Sequence, residues 1–215
     1  MTKARRQLAT RRAGWAVTLA RWLARRGVRP NAVSVAGIGF AAAAGAAFAM
    51  VPELDRGARA GALIAAAAGI QLRLLCNLLD GMLAVEEGLQ SKTGDIYNEV
   101  PDRVADILIL LGAGYSVRDL PYGVTLGWAA ALVAVLTAYI RVFAGSIGAT
   151  QHFIGPMAKQ HRMFTLTLVT LFAVGETVAG LPPRAIRIGL AVIVAGSIIT
   201  AIRRTGRIVA EVNAR

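Results

Sequence analysis

A single cysteine, Cys76, excludes an intramolecular disulfide in this chain of 215 residues, and its place inside an apolar run marks it as a buried structural thiol. Aromatic residues supply only 6% of the sequence and are too scattered to form a stacking platform beside the basic side chains. That scarcity weighs against a nucleic-acid reading of the net charge of +12, which comes from 24 Lys and Arg against 12 Asp and Glu. Nine of those 24 precede Pro30, as a membrane-surface segment would have them, so no nucleic-acid partner is expected. The start has neither a clean apolar centre nor a cleavage site, so it does not read as a signal peptide. No internal repeat or low-complexity linker points to a second globular domain.

What the chain has in abundance is hydrophobicity, 56% of residues with a mean hydropathy of +0.57, gathered into runs near twenty long. Runs of that length predict an all-α polytopic membrane protein. Residues 1–29 read as a basic amphipathic juxtamembrane segment with Trp15 and Trp22 at headgroup depth, and residues 30–215 as a membrane domain of six transmembrane helices. The spans fall near 31–51, 60–85, 94–117, 122–148, 163–179 and 186–202, with loops at 86–93 and 149–162 and a basic tail after 202. The second run, at 1.5 Å per residue, extends about 39 Å against a hydrocarbon core of about 30 Å, so it must tilt or protrude. Pro101 should kink the third span. Gly37 and Ala41, four apart, hint at close helix pairing. Sixteen Lys and Arg fall on the side of the termini and five on the other, which predicts a cytoplasmic-membrane protein with both ends in the cytoplasm.

Residues 77–106 set polar groups at the end of the second run and the start of the third. Asn77 and Asp80 are three apart, and Asn98, Asp102 and Asp106 are four apart, so each set lines one face if its segment is helical. Gly81 and Gly94 let backbone approach a ligand. Oxygen-bearing faces meeting across a short loop read as a site for a divalent cation and a phosphate-rich substrate. Arg73 should turn inward, as a partner of an acid such as Asp106 or as a phosphate ligand. Arg141, Lys159 and Arg162 fall near the same surface as further phosphate donors. Against these stand plainer roles: Arg141 as an interface anchor, His161 as a solvated loop residue, and Arg103 with Asp106 as a buried ion pair.

The spacing resembles the signature of the CDP-alcohol phosphotransferases, D-x2-D-G-x2-A-R-x8-G-x3-D-x3-D, met here by Asn77, Asp80, Gly81, Ala84, Val85, Gly94, Asn98 and Asp102. Every interval is kept, while Asn77 and Asn98 stand for two aspartates and Val85 for the arginine. The resemblance implies a transferase of phospholipid biosynthesis that moves a phosphatidyl-type group from a CDP-alcohol, such as CDP-diacylglycerol, to an alcohol acceptor with release of CMP. It implies Asp102 as general base, and Asp80, Asn77, Asn98 and Asp102 as ligands of one or two Mg²⁺ or Mn²⁺ ions. Gly81, Ala84 and Gly94 would make room for the cytidine and its phosphates. Membrane lipids, and a second copy in a homodimer, complete the expected partners. Each amide keeps an oxygen ligand but removes one negative charge, so two cations would be held less tightly. Two other readings compete: a non-catalytic relative that binds a nucleotide or lipid headgroup, and a small transporter component. The transporter fits least, because its polar residues should lie near the midplane of several spans.

Overall fold

The computed structural model describes residues 13–215; the first twelve residues of the expected amphipathic segment lie outside the described residues. The described chain is all-helical: α1 Gly14–Arg25, α2 Pro30–Met50, α3 Arg56–Val85, α4 Gly94–Tyr115, α5 Gly123–Ser146, α6 Lys159–Val178 and α7 Arg184–Asn213, with a short 3-10 turn at Val51–Glu53. Local chemistry sets several ends. Pro30 opens α2 at a first-turn position that needs no amide donor. Asp55 caps α3 by accepting from the Ala58 amide at 2.9 Å. Past α6, Gly180 adopts φ of +75°, and the Leu181 amide returns to the Glu176 carbonyl at 2.8 Å, closing the helix as a Schellman turn does.

Helices α2, α3, α6, α7, α5 and α4 pack in that cyclic order into a closed ring, and α1 lies against α3. Phe48, Leu63, Ile70, Ile109, Leu110, Met163, Leu166, Ile186 and Leu190 fill the core. Two crossings are so close that only glycine fits. A Cβ on Gly112 of α4 would sit 2.6 Å from the Gly45 Cα of α2, and one on Gly127 of α5 would sit 2.7 Å from the Gly114 Cα of α4. The Gly37 and Ala41 hint marks a real seam. Both are buried, and a Cβ on Gly37 would lie 3.3 Å from Cys76 Cβ on α3. Leu132, Phe164, Phe172, Ile188 and Ile202 point outward, the reverse of a water-soluble surface.

Four helices, α2, α3, α5 and α7, are long and apolar enough to cross a membrane. Helices α4 and α6, of 22 and 20 residues, have comparable length but carry the charged residues of the site near their N-terminal ends. The structure corrects two boundaries. Lys159, His161 and Arg162 belong to the first turn of α6 and not to a loop. Arg203, Arg204 and Arg207 continue α7 and are not a separate tail, because α7 runs on past its apolar stretch. Pro101 lies buried within a continuous α4, one helix on both sides of the proline. Of the juxtamembrane segment, α1 buries Ala16 and Ala20 against Leu78, Leu79, Met82 and Leu83 and exposes Trp15 and Trp22.

Candidate functional site

Helix geometry turns Asn77 and Asp80 of α3, Asp102 and Asp106 of α4, and Lys159 and Arg162 of α6 toward one another at one end of the ring. Arg73, 2% exposed, is the centre of the cluster. Its guanidinium donates to Asp102 Oδ1 at 3.0 Å and to Asp106 Oδ1 at 3.3 Å, so it meets the acid expected of it and a second one besides. Asp106 is completed by Arg162, which donates from Nη2 to Asp106 Oδ2 at 2.9 Å and from Nη1 to Thr137 Oγ1 at 3.2 Å and the Met157 carbonyl at 3.1 Å. The pairing of Arg103 with Asp106 does not occur. Arg103 turns to Glu99 one helical turn back, the ordinary spacing for such a pair.

Asp102 is also held by the Lys159 ammonium through Oδ2. Asn77 bridges the same two residues. In the amide orientation that suits both neighbours, it donates to Asp102 Oδ1 at 2.7 Å and accepts from Lys159. Asp80, 6% exposed, accepts from Ser34 Oγ of α2 at 2.7 Å. Arg73 Nη1 and Arg162 Nε are buried with no hydrogen-bond partner among the described residues. Buried N–H groups of this kind call for an acceptor such as an anion or a water.

The remaining expected residues lie around this cluster. Gly81 and Ala84 are half-buried on the last turns of α3, and Gly94 opens α4 with ordinary 3.5 Å clearance between an added Cβ and Ser91 Oγ. Asn98 is on the face of α4 that carries Asp102, one turn away, and is exposed. Arg141 lies at the rim, donating to both oxygens of Glu99 at 2.6 and 2.7 Å and stacking over Phe153 with 5.1 Å to the ring centroid. His161 is exposed. Sequence reasoning missed Ser34, Thr137 and Arg204. Arg204 donates from α7 to the Ile154 carbonyl at 3.0 Å and the Thr137 carbonyl at 2.8 Å. Beside it is a cleft of about 510 Å³ lined by Ile154, Gly155, Arg203, Gly206 and Arg207.

Crystal structures of Mycobacterium tuberculosis phosphatidylinositol phosphate synthase superpose on the chain over nearly its whole length. The complex with manganese and citrate matches with a TM-score of 0.74 at 21% identity, covering 90% of this chain and 88% of that one. The form with CDP-DAG bound gives 0.74 at 23% identity, covering 91% and 94%, and the apo form gives 0.70 at 22%, covering 88% and 93%. The chain has the fold of these synthases. No protein-family model and no curated protein matches it.

Manganese in one of those structures raises the question of whether this cluster suits a divalent cation. Its donor set does not fit one. Asp80, Asp102 and Asp106 are matched in number by Arg73, Lys159 and Arg162, so a double charge would enter a cluster that is already neutral. Among the described residues no three His, Cys, Asp or Glu side chains are placed together to hold a metal ion. Glu99, which stands beside Asn98, is occupied by Arg103 and Arg141 and cannot replace the missing carboxylate.

Proposed function

We propose that this chain is a membrane transferase that seats the diphosphate of a CDP-alcohol, such as CDP-diacylglycerol, in the crevice between α3, α4 and α6, and transfers its phosphatidyl-type group to an alcohol. The observation that carries this is the convergence of Asn77, Asp80, Asp102 and Lys159 at one end of a helix ring that shares its fold with a synthase crystallised with CDP-DAG. Residues 30–215 form the membrane domain in this reading, with α2 to α7 as six spans. Helices α4 and α6 reach roughly 30 Å by length and turn Asp102, Asp106 and Arg162 into the ring. The charge asymmetry supports a cytoplasmic position for both ends and the crevice.

The chemistry follows from the contacts. The acceptor hydroxyl oxygen attacks the phosphorus that bears the lipid, forming a new P–O bond while the P–O bond to CMP breaks. CMP departs with the electron pair, and the hydroxyl proton goes to a carboxylate. Asp102 is the base in this reading, and its environment sets a condition. Oδ1 is engaged by Arg73 and Asn77 and Oδ2 by Lys159, so Oδ2 becomes free only when Lys159 turns toward a phosphate oxygen. Arrival of the diphosphate therefore uncovers the base. Gly81, Ala84 and Gly94 line the approach for cytidine, replacing bulk with backbone. The cleft with Arg203 and Arg207 is spacious and cationic, which suits a polar acceptor. Purified protein incubated with CDP-diacylglycerol and a panel of alcohols should release CMP with at least one of them. CMP release with none of the panel, from protein that binds CDP, would favour the reading as a non-catalytic binder, which the crowding of Asp102 by two cations also supports.

A further inference from the structure

We infer that Lys159 is a tethered cation in the position that the spacing pattern assigns to a divalent ion, and that the crevice holds its anionic ligand without a metal. The identity of that ligand as a cytidine diphosphate rests on the proposed function; the role of Lys159 does not. The ammonium reaches from the first turn of α6 to Asp102 Oδ2 on α4 and to the Asn77 amide oxygen on α3, the last and first positions of the pattern. These are the oxygens that a metal would take.

The charges agree with this placement. Asparagine for aspartate at residue 77, the one of the two amides that meets Lys159, keeps an oxygen and removes one negative charge, the adjustment that a +1 ion calls for in place of +2. Asp80 is held by Ser34 and Asp102 by Arg73, so an entering ion would have to displace Lys159 and compete with Arg73 for Asp102. Lysine has three N–H donors. Asp102 and Asn77 use two of them in the unliganded chain, and turning from Asp102 Oδ2 to a phosphate oxygen keeps the Asn77 contact while the ammonium neutralises the ligand. The buried Nη1 of Arg73, which has no partner among the described residues, is a second donor from the same cluster. A lysine and an arginine can thus neutralise a diphosphate as a metal would, by charge-assisted hydrogen bonds.

Two measurements on the full chain in detergent test this: Mn²⁺ binding by electron paramagnetic resonance after EDTA treatment, and CDP binding by calorimetry in EDTA and in Mg²⁺ buffer. The wild-type chain should leave added Mn²⁺ free and bind CDP with an affinity that differs by less than about twofold between the two buffers. Lys159→Gln should weaken CDP binding by about 10- to 100-fold, the loss of one charge-assisted contact, and Lys159→Arg should recover part of it. The variant combining Lys159→Gln with Asn77→Asp and Asn98→Asp should bind Mn²⁺. Binding of Mn²⁺ by the wild type, loss of CDP binding in EDTA, or no Mn²⁺ binding by a triple variant of unchanged melting temperature would each overturn the inference. If CDP binds in neither buffer, the nucleotide reading fails, and the Mn²⁺ results still decide the role of Lys159.

Discussion

Replacing Asp106 by asparagine keeps the volume of the side chain and removes the charge that holds two guanidinium groups inside the ring. Asp106 is 1% exposed, and among the described residues it is the only carboxylate paired with Arg162, which is itself 2% exposed. Arg73 retains Asp102 in the variant, so the uncompensated charge is that of Arg162, left with Thr137 and the Met157 carbonyl. Breaking a buried pair from one side costs about 3 to 5 kcal/mol. At roughly 2 to 4 °C per kcal/mol for a domain of this size, the melting temperature should fall by roughly 6 to 20 °C. Thermal unfolding in detergent, followed by helical circular dichroism, reads this directly. The double change Asp106→Leu with Arg162→Met removes both charges and should recover most of the loss. A fall below about 2 °C for Asp106→Asn, or a double variant as unstable as the single one, would refute the argument that this pair is a buried ionic contact.

Three further outcomes follow. Gly112→Ala sets a Cβ against the Gly45 backbone, where nothing flexible can yield, and should destabilise the chain by about 1 to 3 kcal/mol in the same unfolding assay; an unchanged melting temperature would mean that α2 and α4 do not cross there. Gly81→Leu should abolish the protection that CDP gives against thermal unfolding while leaving the unliganded melting temperature near that of wild type, and retained protection would move the nucleotide elsewhere. A reporter fused after Arg215 should signal from the cytoplasm, and a signal from the far side of the membrane would reverse the orientation together with the cytoplasmic crevice.

The apolar runs made the helices legible because Pro30, Pro52 and Pro182 punctuate them and each run is long enough to leave little choice. The inward turn of Arg73 was legible for the same reason, since a guanidinium in an apolar run must find an acid. Helix ends beyond the apolar stretches were not. The first turn of α6 and the last turns of α7 are polar, so hydropathy stops before the helix does. Lys159 and Arg162 are three apart, and that spacing was an available sign that they share a helix face. Other contacts depend on packing alone. Ser34 stands 46 residues from Asp80 in a run rich in Ala and Gly, where a small hydroxyl gives no signal. The choice of Arg162 over Arg103 as partner of Asp106 depends on α6 closing against α3 in the ring, and no local spacing reveals it.

Asp102 carries the proposed chemistry, and the direct measurement is single-turnover CMP release from CDP-diacylglycerol by Asp102→Asn, set beside its affinity for CDP. The asparagine frees Lys159 and Arg73 from their shared carboxylate, so CDP should bind with equal or greater affinity. The rate should fall by about 10² to 10⁴-fold, the usual cost of losing a general base. Full turnover by Asp102→Asn, in a preparation whose wild-type counterpart releases CMP, would contradict the assignment of the base and the mechanism built on it.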